Sequence, residues 1–165
     1  GVENDKVHKK SWKLGVTYSW AEHPIYITIN LQDFLMDMII DFPGGQKVDA
    51  HFRGHTIKTD QPNDNTAPMP FELFLASIGT CAGIYVLGFC QQRNLPTAGI
   101  RIVQRNYSNP ANGLVDKIDL EIQVPPNFPE QYHAALVRTA ELCKVKKTLE
   151  HPPVFDVMTK VVEAA

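Results

Sequence analysis

Two of the three cysteines stand where a thiol could do chemistry. Cys81 lies within FELFLASIGTCAGIYVLGFC, residues 71–90, the most apolar run of the chain, whose one charge is Glu72. Cys143 opens Cys-Lys-Val-Lys-Lys, residues 143–147, where ammonium groups favour a thiolate by charge attraction. The thiolate is the nucleophilic form of cysteine, so the pattern points to thiol redox chemistry. The competing reading is plain: a buried cysteine is most often a small, inert hydrophobe. Cys90, nine residues beyond Cys81, falls on the opposite helix face and reads as core.

Other chemistries find no support. His51 and His55 flank Phe-Arg-Gly, and a turn between them spoils a common face. No Cys/His spacing matches a zinc pattern, no Gly-rich phosphate loop follows a strand, and no Gly-x-Ser-x-Gly elbow occurs. A net charge of −2 gives no electrostatic case for nucleic acid or an anionic membrane as partner. Three cysteines are too few for a disulfide scaffold, and the sequence reads as cytoplasmic, where a disulfide is more often catalytic or redox-sensing.

The element that positions Cys81 reads as one long helix. Pro70 suits its first turn, Glu72 meets the positive end of the helix dipole there, and Pro96 stops it. Cys81 shares a face with Phe74, Ser77, Ile84, Tyr85 and Gly88. Gly79 and Gly83 lie four apart on one face, with Gly88 close to it. Each costs roughly 1 kcal/mol in a helix interior, which implies that another backbone comes close. The helix is expected to be buried on nearly all sides. Residues 73–90 are uncharged over the length of a membrane span, but Gly, Ser, Thr and Cys dilute their hydropathy and no Lys/Arg cluster flanks them. Cys81 is about three turns into the helix, and the dipole fades within the first. Its activation therefore requires a cation from elsewhere.

The rest of the chain supplies sheets and a second helix. A clean pattern begins at Met36 or Met38, so residues 1–35 read as an extension of a domain over 36–165. Strands are expected over Met36–Phe42, Gln46–Phe52 and His55–Asp60, separated by turns at Pro43-Gly44-Gly45 and Arg53-Gly54. The loop QPNDNTAPMP, residues 61–70, leads into the central helix. Gly99–Tyr107 and Val115–Val124 read as a hairpin, the second strand alternating Ile118, Leu120, Ile122 and Val124 against polar residues. Asn127 and Glu130 have capping-box spacing ahead of a helix from about Glu130 to Glu150, with Tyr132, Leu136, Thr139 and Cys143 on one stripe. Val154–Val162 reads as a closing strand. The order is β-β-β-α-β-β-α-β, an α+β class.

The residues Pro70-Phe-Glu-Leu-Phe-Leu-Ala-Ser-Ile-Gly-Thr-Cys81, together with Cys143-Lys-Val-Lys-Lys-Thr-Leu-Glu and Thr59-Asp60-Gln61-Pro62, resemble the OsmC/Ohr family, in its OsmC-like branch. The resemblance covers roughly residues 36–162. It implies an intertwined α+β homodimer with shared active sites and central helices packed between antiparallel sheets. It implies thiol-dependent reduction of organic hydroperoxides, with Cys81 as peroxidatic thiol and Cys143 as resolving thiol. No tightly bound cofactor is implied; an external dithiol of the dihydrolipoamide type would recycle the pair. The Ohr branch places an arginine after the Gly-Gly turn, where this chain has Gln46. Arg53 is the substitute expected, with Lys47 in reserve. The family's first-turn acid corresponds to the position of Phe71, one residue before Glu72. Glu72 is the expected support, for a partner's site or for the helix N-terminus. The alternative is a redox-sensing or non-catalytic dimer that holds a small acyl or lipid ligand near Cys81.

Overall fold

Alternating side chains and two tight turns make the first sheet of the structure, a computed structural model that describes residues 36–163. The proposed extension, residues 1–35, lies outside the described residues. Strands β1 (Ile39–Gly44), β2 (Lys47–Phe52) and β3 (His55–Ile57) form an antiparallel meander in that order. Gly44, Gly45, Arg53 and Gly54 turn the chain with positive φ, a region open to glycine and costly for Arg53. On one face His51 links the strands, its Nδ1 3.0 Å from Thr56 Oγ1 and its Nε2 3.0 Å from Asp41 Oδ2. This sheet makes no extensive contact with the helices of its own chain, and Ile39, Ile40 and Phe42 are exposed.

The loop after β3 is built on Asp60. Its carboxylate is fully buried and accepts the Gln61 N–H at 2.8 Å, the Thr66 N–H at 3.1 Å and the Thr66 hydroxyl. The Thr66 hydroxyl, then the Gln61 N–H, hold this carboxyl below the usual aspartate range. The loop delivers the chain to α1 (Pro70–Gln92). Proline at the first helical position and Glu72, whose Oε2 accepts the Met69 N–H at 2.9 Å, start the helix.

Strands β4 (Arg101–Ser108) and β5 (Val115–Gln123) form the expected hairpin in full antiparallel register from Arg101↔Gln123 to Tyr107↔Lys117. The inward face of β5, Leu120 and Ile122, joins Ile102 and Val124 against a core of Ala82, Val86, Phe89 and Cys90 from α1. Leu136, Ala140 and Cys143 close this core from the other side. Phe89 meets Tyr132 edge-on at 5.9 Å.

The structure corrects four expectations. The helix expected over Glu130–Glu150 is three pieces: a 3₁₀ turn at Glu130–Tyr132, α2 (His133–Ala140) and α3 (Lys144–Glu150). Its break has a cause, since Cys143 (φ −47°, ψ 121°) leaves the helical region and its sulfur caps α3 by accepting the Lys146 N–H at 3.4 Å. The Asn127–Glu130 capping box is not formed; Pro129 precedes the 3₁₀ turn with no side-chain cap. Residues 152–163 lie in no helix or strand, and Val154, Phe155, Val157 and Val161 are exposed, because no strand among the described residues pairs with them. Finally, α1 is not buried all round within the single chain: Phe71, Phe74 and Ile84 are exposed. By length and composition α1 is apolar enough to cross a membrane.

Of the helix glycines, Gly79 has a nearer explanation than a second helix. A Cβ at Gly79 would stand 2.6 Å from Gln104 Oε1, and one at Gly83 3.9 Å from Ile102. Gly79 makes room for the Gln104 side chain of β4, whereas a Cβ at Gly83 would meet Ile102 in ordinary contact. Gln104 uses that room to donate to the Leu75 carbonyl at 3.0 Å. Gly88 has nothing within 4 Å of its Cβ position.

Candidate active site

The break between α2 and α3 is what makes a site. It folds the first turn of α3 onto the middle of α1, and Cys143 comes to rest with 1% of its surface exposed. Its thiol reaches the Ile78 carbonyl of α1 at 3.8 Å, one turn before Cys81. The two thiols influence each other's ionisation, and both are free.

The same turn treats the two thiols differently. Burial opposes ionisation of Cys81, but the Val145 N–H, the Cys143 thiol, the Lys144 N–H and the Lys144 charge together outweigh it. Cys81 is held below the ordinary thiol range. Cys143 moves the other way: burial pushes it up, the Lys146 N–H works against that, and the neighbouring Cys81 adds to it. The lysines beside Cys143 in sequence were expected to favour its thiolate, and burial overrides them. Cys90 has burial alone acting on it, which raises it as well. It is core, as its place on the far helix face predicts.

The groups that favour the Cys81 thiolate come from a segment distant in sequence, the start of α3. Its own helix cannot help three turns in, but the backbone N–H groups of Val145 and Lys144 at the start of α3 favour its thiolate. The cation that accompanies them is Lys144. Arg53 is in the β2–β3 turn with its guanidinium 5.9 Å from the Phe52 ring, and it is not among the groups acting on either sulfur. Lys47 acts on Asp60 instead. Glu72 spends its carboxylate on the start of α1. Within one chain the structure thus brings together Cys81 and Cys143, and does not bring Arg53 or Glu72 to them. Sequence reasoning missed Lys144 as activator of Cys81 and the backbone of Val145. The signal was present in Cys-Lys-Val-Lys, which reads as a capped helix start once the cysteine is taken as the cap.

Two shallow grooves flank α1. One of about 440 Å³ runs against β4 over Ala76, Gly79, Thr80 and Gly83. The other, about 590 Å³, runs between α1 and α2 on the face that carries Cys81. Among the described residues no cluster of His, Cys, Asp and Glu is arranged to hold a metal ion.

An α+β chain whose central helix presents one cysteine to a second at a helix start is a dithiol-site protein. The description of an OsmC-like protein matches residues 62–158, more than half of the chain, and the chain belongs to that family. Solved structures share the fold. One is a protein of Psychrobacter arcticus 273-4 named for osmotic stress induction and a detoxification response. It is 19% identical with a TM-score of 0.58, covering 67% of this chain and 85% of that one. Another is an OsmC-like protein of Mycoplasma pneumoniae, 14% identical with a TM-score of 0.58, covering 72% and 89%. No curated protein sequence matches the chain.

Proposed function

We propose that the protein is a thiol peroxidase that reduces organic hydroperoxides. The observation that carries this is the pairing of Cys81, held toward its thiolate, with the adjacent protonated Cys143. Membership of the OsmC-like family supports it. The Cys81 thiolate attacks the terminal peroxide oxygen and breaks the O–O bond. The alkoxide leaves and takes a proton as the alcohol, and Cys81 becomes a sulfenic acid. Cys143 then attacks that sulfur, water leaves, and a Cys81–Cys143 disulfide forms. An external dithiol reduces it by two exchange steps, becoming a disulfide itself.

The protein works in this proposal as a homodimer in a reducing, cytoplasmic compartment. Apolar residues exposed on β1, on α1 and along residues 154–162 favour a second copy as their cover. In such a dimer Arg53 or Glu72 of the partner has access to a site that neither reaches within its own chain. The second reading, a redox-responsive carrier of an acyl ligand with little turnover, draws on the groove between α1 and α2 and on the absence of Arg53 from the groups acting on the thiols.

Single-turnover oxidation by one equivalent of an organic hydroperoxide separates the two. The peroxidase consumes it fast and yields a Cys81–Cys143 bond by mass mapping. Cys81→Ser abolishes consumption, and Cys143→Ser leaves a sulfenic acid. Consumption no faster than that of a free thiol would sink the enzyme reading.

A further inference from the structure

A Cys81–Cys143 disulfide offers an external thiol two sulfurs, and the fold leaves one of them in reach. Cys143 has 1% of its surface exposed. It is enclosed in one core with Leu136 and Ala140 of α2. Its own chain makes that closure, so it holds in any assembly. Cys81 is partly buried, at the edge of the same core. Phe74 and Ile84, on the same helix face, are exposed. This face of α1 is therefore the way in to the pair, and a peroxide needs the same way to meet Cys81. Leaving-group chemistry alone argues for the other sulfur. Exchange is faster when the departing thiol has the lower pKa, so attack on Cys143 would expel the better leaving group, Cys81. That preference scales a rate, whereas burial removes the collision itself.

We propose that the external dithiol attacks the sulfur of Cys81 and not that of Cys143, so that the mixed disulfide of the reducing step stands on Cys81. This deepens the peroxidase reading and rests on its disulfide. The first thiolate bonds to the Cys81 sulfur, the S–S bond breaks, and Cys143 leaves with the electron pair and takes up a proton. The Lys146 N–H, 3.4 Å from that sulfur, is in place to hold the departing charge. The neighbouring Cys81, which raises Cys143 in the reduced protein, carries no charge while it is bound in the mixed disulfide. The second thiol of the reductant then attacks the reductant sulfur that is bonded to Cys81. The reductant closes to a disulfide, and Cys81 leaves as the thiolate. Two electrons pass to the protein in all. Every bond to an outside molecule is made at Cys81, and Cys143 bonds only to Cys81.

The test starts from wild-type protein oxidised with diamide, so that it does not depend on peroxide turnover. The disulfide form is mixed with glutathione, a monothiol that stops at the mixed disulfide. Samples are quenched in acid at a series of early times, unfolded with N-ethylmaleimide and mapped by mass. Glutathione on Cys81 with the label on Cys143 should exceed the reverse by about tenfold or more at the earliest times, before further exchange moves the adduct. A second measurement narrows the approach. Ile84→Trp, at an exposed position one turn from Cys81, should slow both iodoacetamide at Cys81 in the reduced protein and glutathione attack on the oxidised protein, each several-fold. An adduct mainly on Cys143, equal amounts on the two, or an Ile84→Trp variant that slows alkylation and leaves reduction untouched overturns the assignment. Failure of diamide to join the two sulfurs overturns it together with the resolving step. Exchange at Cys81 in a protein that consumes no peroxide leaves the assignment standing and removes the peroxidase.

Discussion

The thiol of Cys143 donates to the Ile78 carbonyl at 3.8 Å and also favours ionisation of the neighbouring Cys81. When Cys81 is ionised its sulfur is the stronger acceptor, because a hydrogen bond to a charged group outweighs one to a neutral carbonyl. The Cys143 thiol is therefore one of the groups, after the Val145 N–H, that favour the charged form of Cys81.

The pH dependence follows from that. Donors and positive charge favour the Cys81 thiolate, so its folded pKa is lowered and its reactivity persists to lower pH than that of an ordinary thiol, which titrates at about 8.5. Alkylation by iodoacetamide, mapped by mass across pH, should show Cys81 reacting with a midpoint below that value. Cys143 should be slow throughout. Cys143→Ala removes a donor and should move the Cys81 midpoint upward; an unmoved midpoint would show that the thiol hydrogen does nothing.

Lys144 contributes its charge and its backbone N–H, and only the charge can be mutated away. Lys144→Met should raise the Cys81 midpoint and slow peroxide consumption at neutral pH, without abolishing either the low midpoint or the consumption. Arg53→Met is the comparison. A larger loss in Arg53→Met than in Lys144→Met would place activation in the β2–β3 turn of a partner chain and not in α3.

Gly79 and Gln104 predict an effect that depends on the background. In wild type, Gly79→Ala gains about 1 kcal/mol of helix propensity but pushes the Gln104 amide off the Leu75 carbonyl, a loss of about 1 kcal/mol. The net effect on unfolding free energy should be near zero. In a Gln104→Ala background the same change should stabilise by about 1 kcal/mol. Equal effects in the two backgrounds would mean that the two residues do not compete for space.

Asp60 holds its loop as a carboxylate. Its folded pKa is lowered, so the stability it adds is present above the pKa of the unfolded residue and is lost as pH falls through the folded one. Asp60→Asn should lower the melting temperature at neutral pH. The gap to wild type should close in acid, near and below pH about 4. A gap that persists there would assign the role of Asp60 to shape and not to charge.

Much of the fold is legible because its signals are local. The alternation Ile118, Leu120, Ile122 fixes β5, and Pro70 with Glu72 fixes the start of α1. The two thiols were legible as types in context. What was not legible is long-range. The bend at Cys143 depends on a sulfur acting as a helix cap, a weak acceptor in a role normally held by oxygen. The activation of Cys81 comes from N–H groups 63 to 64 residues along the chain, at Lys144 and Val145, and no periodicity encodes that. The strand pattern of Val154–Val162 is real in sequence yet unmatched within the described chain, because alternation records a preference for pairing and not the presence of a partner.

The joint between α2 and α3 carries one further consequence. Once Cys81 and Cys143 are joined, the bond closes a loop of about sixty residues that holds the β4–β5 hairpin and α2. By chain entropy a closure of that size is worth roughly 4 kcal/mol to the folded state. The oxidised protein is then the more heat-resistant form, and the reductant works against that gain. In a two-electron couple about 4 kcal/mol corresponds to roughly 90 mV, so the peroxidase proposal calls for a correspondingly stronger reductant.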